Sequence, residues 1–94
     1  MKHQVFASVW DAIETPENAA NLKLRAVVAH ELIEELRRRR ISQTKAAALL
    51  AVTQPRVSDL MRGQLQLFSL ESLIAMAKRA GLETRVTISR SRAA

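Results

Sequence analysis

The sequence predicts an all-α fold, a single small domain of about four to five helices with one short strand appended near its C-terminus. Three observations lead there. Apolar residues recur at helical spacing through most of the stretch from Pro16 to Ala80. Those runs are bounded by Ser or Thr, and by Pro or Gly, where helices start and stop. Aromatic residues make up only 3% of a chain that is 48% apolar, so Leu, Ala, Val and Ile must fill the core. At 94 residues there is room for one such core and no more.

Taking the elements in order, residues 1–14 read as an N-terminal arm and residues 15–94 as the domain. Within the arm, Phe6, Val9, Trp10 and Ile13 stand at helical spacing. They are suited either to packing on their own domain or to anchoring a partner, a role Trp often fills. Thr15-Pro16-Glu17 is a helix start: Thr15 can cap, Pro16 suits the first helical position and Glu17 complements the dipole. The helix runs to about Arg39. Val28, Ala29, Leu32, Ile33 and Leu36 form its buried stripe, and Glu34 to Arg38 and Glu35 to Arg39 are i,i+4 pairs on the wet side. The run Arg37 to Arg40 places cations at the negative end of the dipole, or offers them to phosphate. Ser42 caps a second helix and Thr53 a third. After Gly63 and a short loop, QLQLF, Ser69 caps a helix to Ala80, with Phe68 and Leu73 placed as a hydrophobic staple and Gly81 closing it. Residues 82–89 differ in kind: Leu82, Thr84, Val86 and Ile88 alternate with Glu83, Arg85, Thr87 and Ser89, which is the pattern of a strand with one apolar face.

Function is concentrated in Gln43 to Arg62, QTKAAALLAVTQPRVSDLMR. Ala46, Ala47, Leu49 and Leu50 occupy about two turns of one helix, and Val57, Leu60 and Met61 fall at i, i+3 and i+4 of the next. The second helix is left with Gln54, Arg56, Ser58, Asp59 and Arg62 on its polar side. Two short helices in this arrangement make a helix-turn-helix, whose second helix lies in the DNA major groove. On that basis Gln54 is placed to make a bidentate contact to a base, most naturally adenine. Arg56 can choose guanine or phosphate, Ser58 and Arg62 are the next candidates, and Gln43 and Thr53 are placed for backbone phosphate.

This stretch resembles the Cro and lambda-repressor-like (XRE) helix-turn-helix proteins. Gln43 opens the first motif helix, small Ala47 permits close approach of the two helices, Val57 and Leu60 are the buried pair of the recognition helix, and Gly63 follows it. Through TQPRVSDLMRG, FSLESL and GLETRVTI the whole chain is most similar to the small HigA-type antitoxins, over roughly Pro16 to Ile88. The resemblance implies a lambda-repressor-like fold, repression of transcription, and a RelE/HigB-like ribonuclease toxin as partner. It departs from the pattern at Ala51, where the turn usually carries Gly. A left-handed Ala51 would cost on the order of 1 kcal/mol.

Charge agrees with a polyanionic partner. The net charge is +6, divided unevenly: residues 1–36 carry three Lys or Arg against six Asp or Glu, while residues 37–94 carry twelve against three. The basic stretch is the one that holds the motif. Cysteine is absent, which removes disulfides, a thiolate nucleophile and a cysteine zinc site. His30-Glu31-Leu32-Ile33-Glu34 faintly echoes a zinc-protease helix but lacks the second His, so no metal and no cofactor is expected. No nucleophile and base pair or Gly-rich phosphate loop is visible, and an enzyme is not expected. No apolar run spans a membrane and MKHQVFASVW lacks a signal-peptide core, so the expected location is cytoplasmic, associated with the nucleoid.

A lone strand leaves its ladder unpaired. The simplest partner is the same strand of a second copy, which would put Val86 and Ile88 in the interface of a homodimer able to read a palindromic operator in double-stranded DNA. Pairing with the segment near Val5 to Val9 is the alternative. Three functions then stand side by side. The first is a dimeric autorepressor that is also an antitoxin, with Phe6 and Trp10 as toxin anchors. The second is a stand-alone repressor with no toxin. The third is an RNA-binding or scaffolding protein, for which Trp10, Phe6 and Phe68 are too few aromatic platforms.

Overall fold

Four Ser or Thr side chains start four α-helices in the computed structural model, which describes residues 15–91. Thr15 Oγ1 accepts from the Asn18 N–H at the head of α1 (Pro16–Arg39), and Ser42 Oγ from the Lys45 N–H at the head of α2 (Gln43–Leu50). Thr53 Oγ1 does the same for Arg56 in α3 (Gln54–Met61), and Ser69 Oγ for Ser72 in α4 (Leu70–Arg79). Each satisfies an N–H that the helix itself leaves without a partner. One 3-10 turn, Leu65–Leu67, connects α3 to α4 and has no side-chain cap of its own.

Helix ends are managed by left-handed residues. Gly81, at φ +87°, closes α4, its N–H donating to the Lys78 carbonyl and that of Leu82 to Ala77. The same conformation falls on two residues that carry a Cβ: Arg40 at φ 54° after α1 and Ala51 at φ 58° after α2. Each costs about 1–2 kcal/mol relative to the right-handed region. At Ala51 the strain is matched by what it permits, because the turn lets the Val52 N–H reach the Ala47 carbonyl at 3.0 Å and turns Val52 onto the core. Arg40 was not foreseeable as left-handed, since nothing in its side chain favours that region.

One core joins all four helices. Leu32 of α1, Leu50 of α2, Val57 and Leu60 of α3, and Leu73 of α4 are its largest fully buried side chains, with Ala29, Leu36, Ala46, Phe68 and Met76 around them. Among the described residues none that is polar or charged is buried. α1 packs chiefly on α4, and α2 chiefly on α3. Phe68 and Leu73 are both buried, as the staple requires. Arginines lock the periphery: Arg39 Nη2 donates to the Ala80 carbonyl at 2.8 Å, tying the end of α1 to the end of α4.

Two expectations need correction. Glu34 pairs with Arg37 and not with Arg38, which goes instead to Glu35, together with Arg39. One carboxylate thus serves two guanidiniums, and the side-chain hydrogen bonds from Arg38 and then Arg39 hold the Glu35 carboxyl below its ordinary value. The second correction is the strand. Residues 82–91 form no strand with any described segment, and Val86 and Ile88 are 80% and 91% exposed. An alternating pattern prepares a ladder, but hydrogen bonds to a partner make it, and the described chain offers none. The arm carrying Phe6 and Trp10 lies outside the described residues.

Candidate nucleic-acid interface

α3 is held by its apolar side and presents the rest. Successive helical residues turn by about 100°, so Val57, Leu60 and Met61 define one face and the opposite face centres on Pro55, Ser58, Asp59 and Arg62. Val57 and Leu60 are buried and Met61 packs against the core. Gln54 and Arg56 fall on opposite flanks of that exposed face, and their surroundings differ accordingly.

Gln54 lies beside α2. Its Nε2 donates to Gln43 Oε1 at 3.4 Å, so the first residues of the two motif helices meet, both exposed. The contact leaves most of the amide capacity of both side chains open to a ligand. Thr53 is exposed next to them, its hydroxyl engaged as the cap of α3. Gln43, Thr53 and Gln54 therefore form one polar patch at the head of the motif. Further along, Arg62 Nη2 donates to Asp59 Oδ1 at 2.8 Å, which fixes an exposed guanidinium to the outward face, and Ser58 is half-buried on the same side.

Arg56 is elsewhere. Its Nη1 donates to the Leu67 carbonyl at 2.7 Å, and its guanidinium carbon sits 4.0 Å from the centre of the Phe68 ring. The side chain turns toward the connection between α3 and α4, away from the patch made by Gln43, Thr53 and Gln54. The structure thus assembles three of the six expected contact residues at the head of the motif, adds Ser58 and Arg62 along the exposed face, and turns Arg56 onto the connection between α3 and α4.

A helix-turn-helix domain family model matches residues 13–89. The chain belongs to this helix-turn-helix family. Its fold is similar to a solved protein assigned to the XRE family of transcriptional regulators, with 29% sequence identity and a TM-score of 0.74 over 80% of this chain and 84% of that one. Among curated protein sequences none matches it.

Sequence reasoning missed two residues that shape this helix-turn-helix domain. Pro55 lies exposed at the centre of the outward face of α3, and counting from Val57 and Leu60 would have placed it there. Arg25 is the other, one of the three cations of residues 1–36. In the fold its Nη1 donates to the Leu65 carbonyl at 2.9 Å and to that of Phe68 at 3.4 Å, while its Nε donates to Asn21 Oδ1 at 2.8 Å. Nothing local marks that role, because the acceptors lie some forty residues away. Among the described residues no group of His, Cys, Asp or Glu is arranged to hold a metal, and no helix is long and apolar enough to cross a membrane.

Proposed function

We propose that this helix-turn-helix protein is a sequence-specific DNA-binding regulator of transcription. The observation that carries the reading is the exposed pairing of Gln43 with Gln54 at the head of two short helices, with α3 anchored beneath by Val57 and Leu60. That arrangement presents amide groups on a rigid element, as bidentate recognition of a base edge demands. The basic balance of residues 37–94 and the likeness to an XRE-family regulator support it. Duplexes enriched from a random library should share an inverted repeat, and Gln54→Ala should weaken binding to them by about 1–3 kcal/mol and relax preference at one position. Unchanged affinity and preference in Gln54→Ala would mean that α3 docks in another register.

The finer reading is a dimeric antitoxin and autorepressor of the HigA type. Supporting it are the resemblance through TQPRVSDLMRG and GLETRVTI, the alternation at 82–89 with Val86 and Ile88 exposed, and an acidic N-terminal third that complements a basic toxin. In this reading two copies pair their C-terminal segments, and Phe6 and Trp10 anchor the toxin. Sedimentation should find a dimer, weakened in Thr87→Pro because proline removes a ladder donor. Co-purification of the full chain and of residues 15–94 with the product of an adjoining gene tests the toxin contact. Retention of that product by the trimmed chain would move the surface to α1 or beyond, and absence of any such partner leaves the stand-alone repressor.

A further inference from the structure

The connection from α3 to α4 is short. Its 3-10 turn has three residues and no side-chain cap, yet it must turn the chain between the recognition helix and a helix of the core. Arginines bind the carbonyls it presents. From α1, Arg25 meets the carbonyls of Leu65 and Phe68; from α3, Arg56 meets the carbonyl of Leu67. Three carbonyls of one loop are therefore held from two sides. Phe68 fixes the point where the clamp closes, since its ring is buried, at 3% exposure, and forms the surface on which Arg56 stacks.

From this geometry we propose that Arg56 is a positioning residue, which sets the pose of α3 by bracing it against Leu67 and Phe68 and makes no contact with DNA itself. The proposal rests on the DNA-binding reading of α3 and reassigns a single residue within it. The chemistry favours arginine over lysine. A planar guanidinium can lie on an aromatic face and, at the same time, direct an N–H in its own plane to a carbonyl, whereas an ammonium is a hydrated point charge. Position on the helix agrees. Arg56 occupies the flank of α3 facing the loop, Gln54 the flank facing α2, so the two sides of the first turn are braced separately, through Leu67 and through Gln43. α3 has only eight residues and buries just two of them, so bracing of this kind has leverage over its orientation.

The test combines melting with binding. Arg56→Ala, Arg56→Lys and Phe68→Leu, with the double variant Arg56→Ala/Phe68→Leu, are melted beside the parent. Each is then titrated with a duplex that the parent selects from a random library, with that duplex changed one base pair at a time, and across a range of salt. Arg56→Ala should melt about 4 °C or more below the parent, a shift typical of a lost contact in a domain this small. Arg56→Lys should fall with it despite keeping the charge, and the double variant should lose less than the two single losses added. Binding by Arg56→Ala should drop by one common factor across all the base-pair changes, with the slope of affinity against salt unaltered. A melting temperature equal to the parent's overturns the proposal. So does relaxed preference at one base pair, which marks a base reader, or a salt slope smaller by about one, which marks a phosphate contact. If the parent selects no duplex at all, the DNA-binding reading fails and this role fails with it. Selection by the parent with any of the other contrary results removes only the role of Arg56.

Discussion

Replacing Leu60 by Ala tests how α3 is held. Leu60 is fully buried and belongs to a cluster that includes Val57 on its own helix, Leu50 of α2 and Phe68 of the connection to α4. Removing its isopropyl group leaves a space lined by neighbours that four helices hold in place. Large-to-small changes at such sites cost about 2–5 kcal/mol, with the top of the range reached where the surroundings cannot collapse. In a domain of this size each kcal/mol shifts Tm by about 4–8 °C. The loss should therefore be at least about 8 °C, a large share of the stability such a domain has. Ser58 on the same helix provides the contrast. It is half-buried and its side chain is on the exposed flank, so Ser58→Ala should stay within about 0.5 kcal/mol of the parent. Thermal melts followed by circular dichroism read both. Equal losses in the two variants would refute the assignment of faces on α3, and with it the surface offered to DNA.

Other substitutions probe the turns and the charged periphery. Ala51→Gly should raise stability by about 0.5–1 kcal/mol in a denaturant titration: relief of the left-handed Cβ outweighs the freedom glycine adds to the unfolded chain, and a destabilised variant would show the strain at φ 58° to be absent. For Glu35 the sign follows from its depressed pKa. The pairs with Arg38 and Arg39 stabilise the fold while the carboxyl is ionised, fully so above its ordinary value of 4.5, and the contribution is lost as pH falls through the lower value it has in the folded state. Glu35→Gln should thus melt below the parent near neutral pH and converge with it in acid, and a gap independent of pH would argue against the ion pairs.

Local signals in this chain were enough to define the helices. A hydroxyl at each start, Pro16 and Pro55 in first turns, Gly81 past the last helix and apolar residues at three- and four-residue spacing are consequences of backbone geometry that any neighbouring residues would produce. The buried set followed from the same spacing: Leu32, Leu36, Leu50, Val57, Leu60 and Leu73 could be chosen because a helix has one inward face. The polar patch of Gln43 and Gln54 was legible for a related reason, since two short capped helices separated by a three-residue turn have few ways to pack.

What local signals cannot carry is any choice among long flexible side chains whose partners are distant in sequence. In sequence, Arg25 and Arg39 are surface charge and Arg56 is a candidate contact to DNA. Only the packing of α1 on α4 and of α1 and α3 on the Leu65–Phe68 connection offered them carbonyls and, for Arg56, an aromatic ring. Residues 82–89 show the converse. Their alternation is inscribed locally, but a strand exists only where a second backbone meets it, and no described segment of the same chain does so. Helices close their hydrogen bonds within a few residues, which makes them readable from sequence alone. Guanidinium ties and β-ladders are closed by whatever the tertiary or quaternary structure brings near, and that is where it decided this protein.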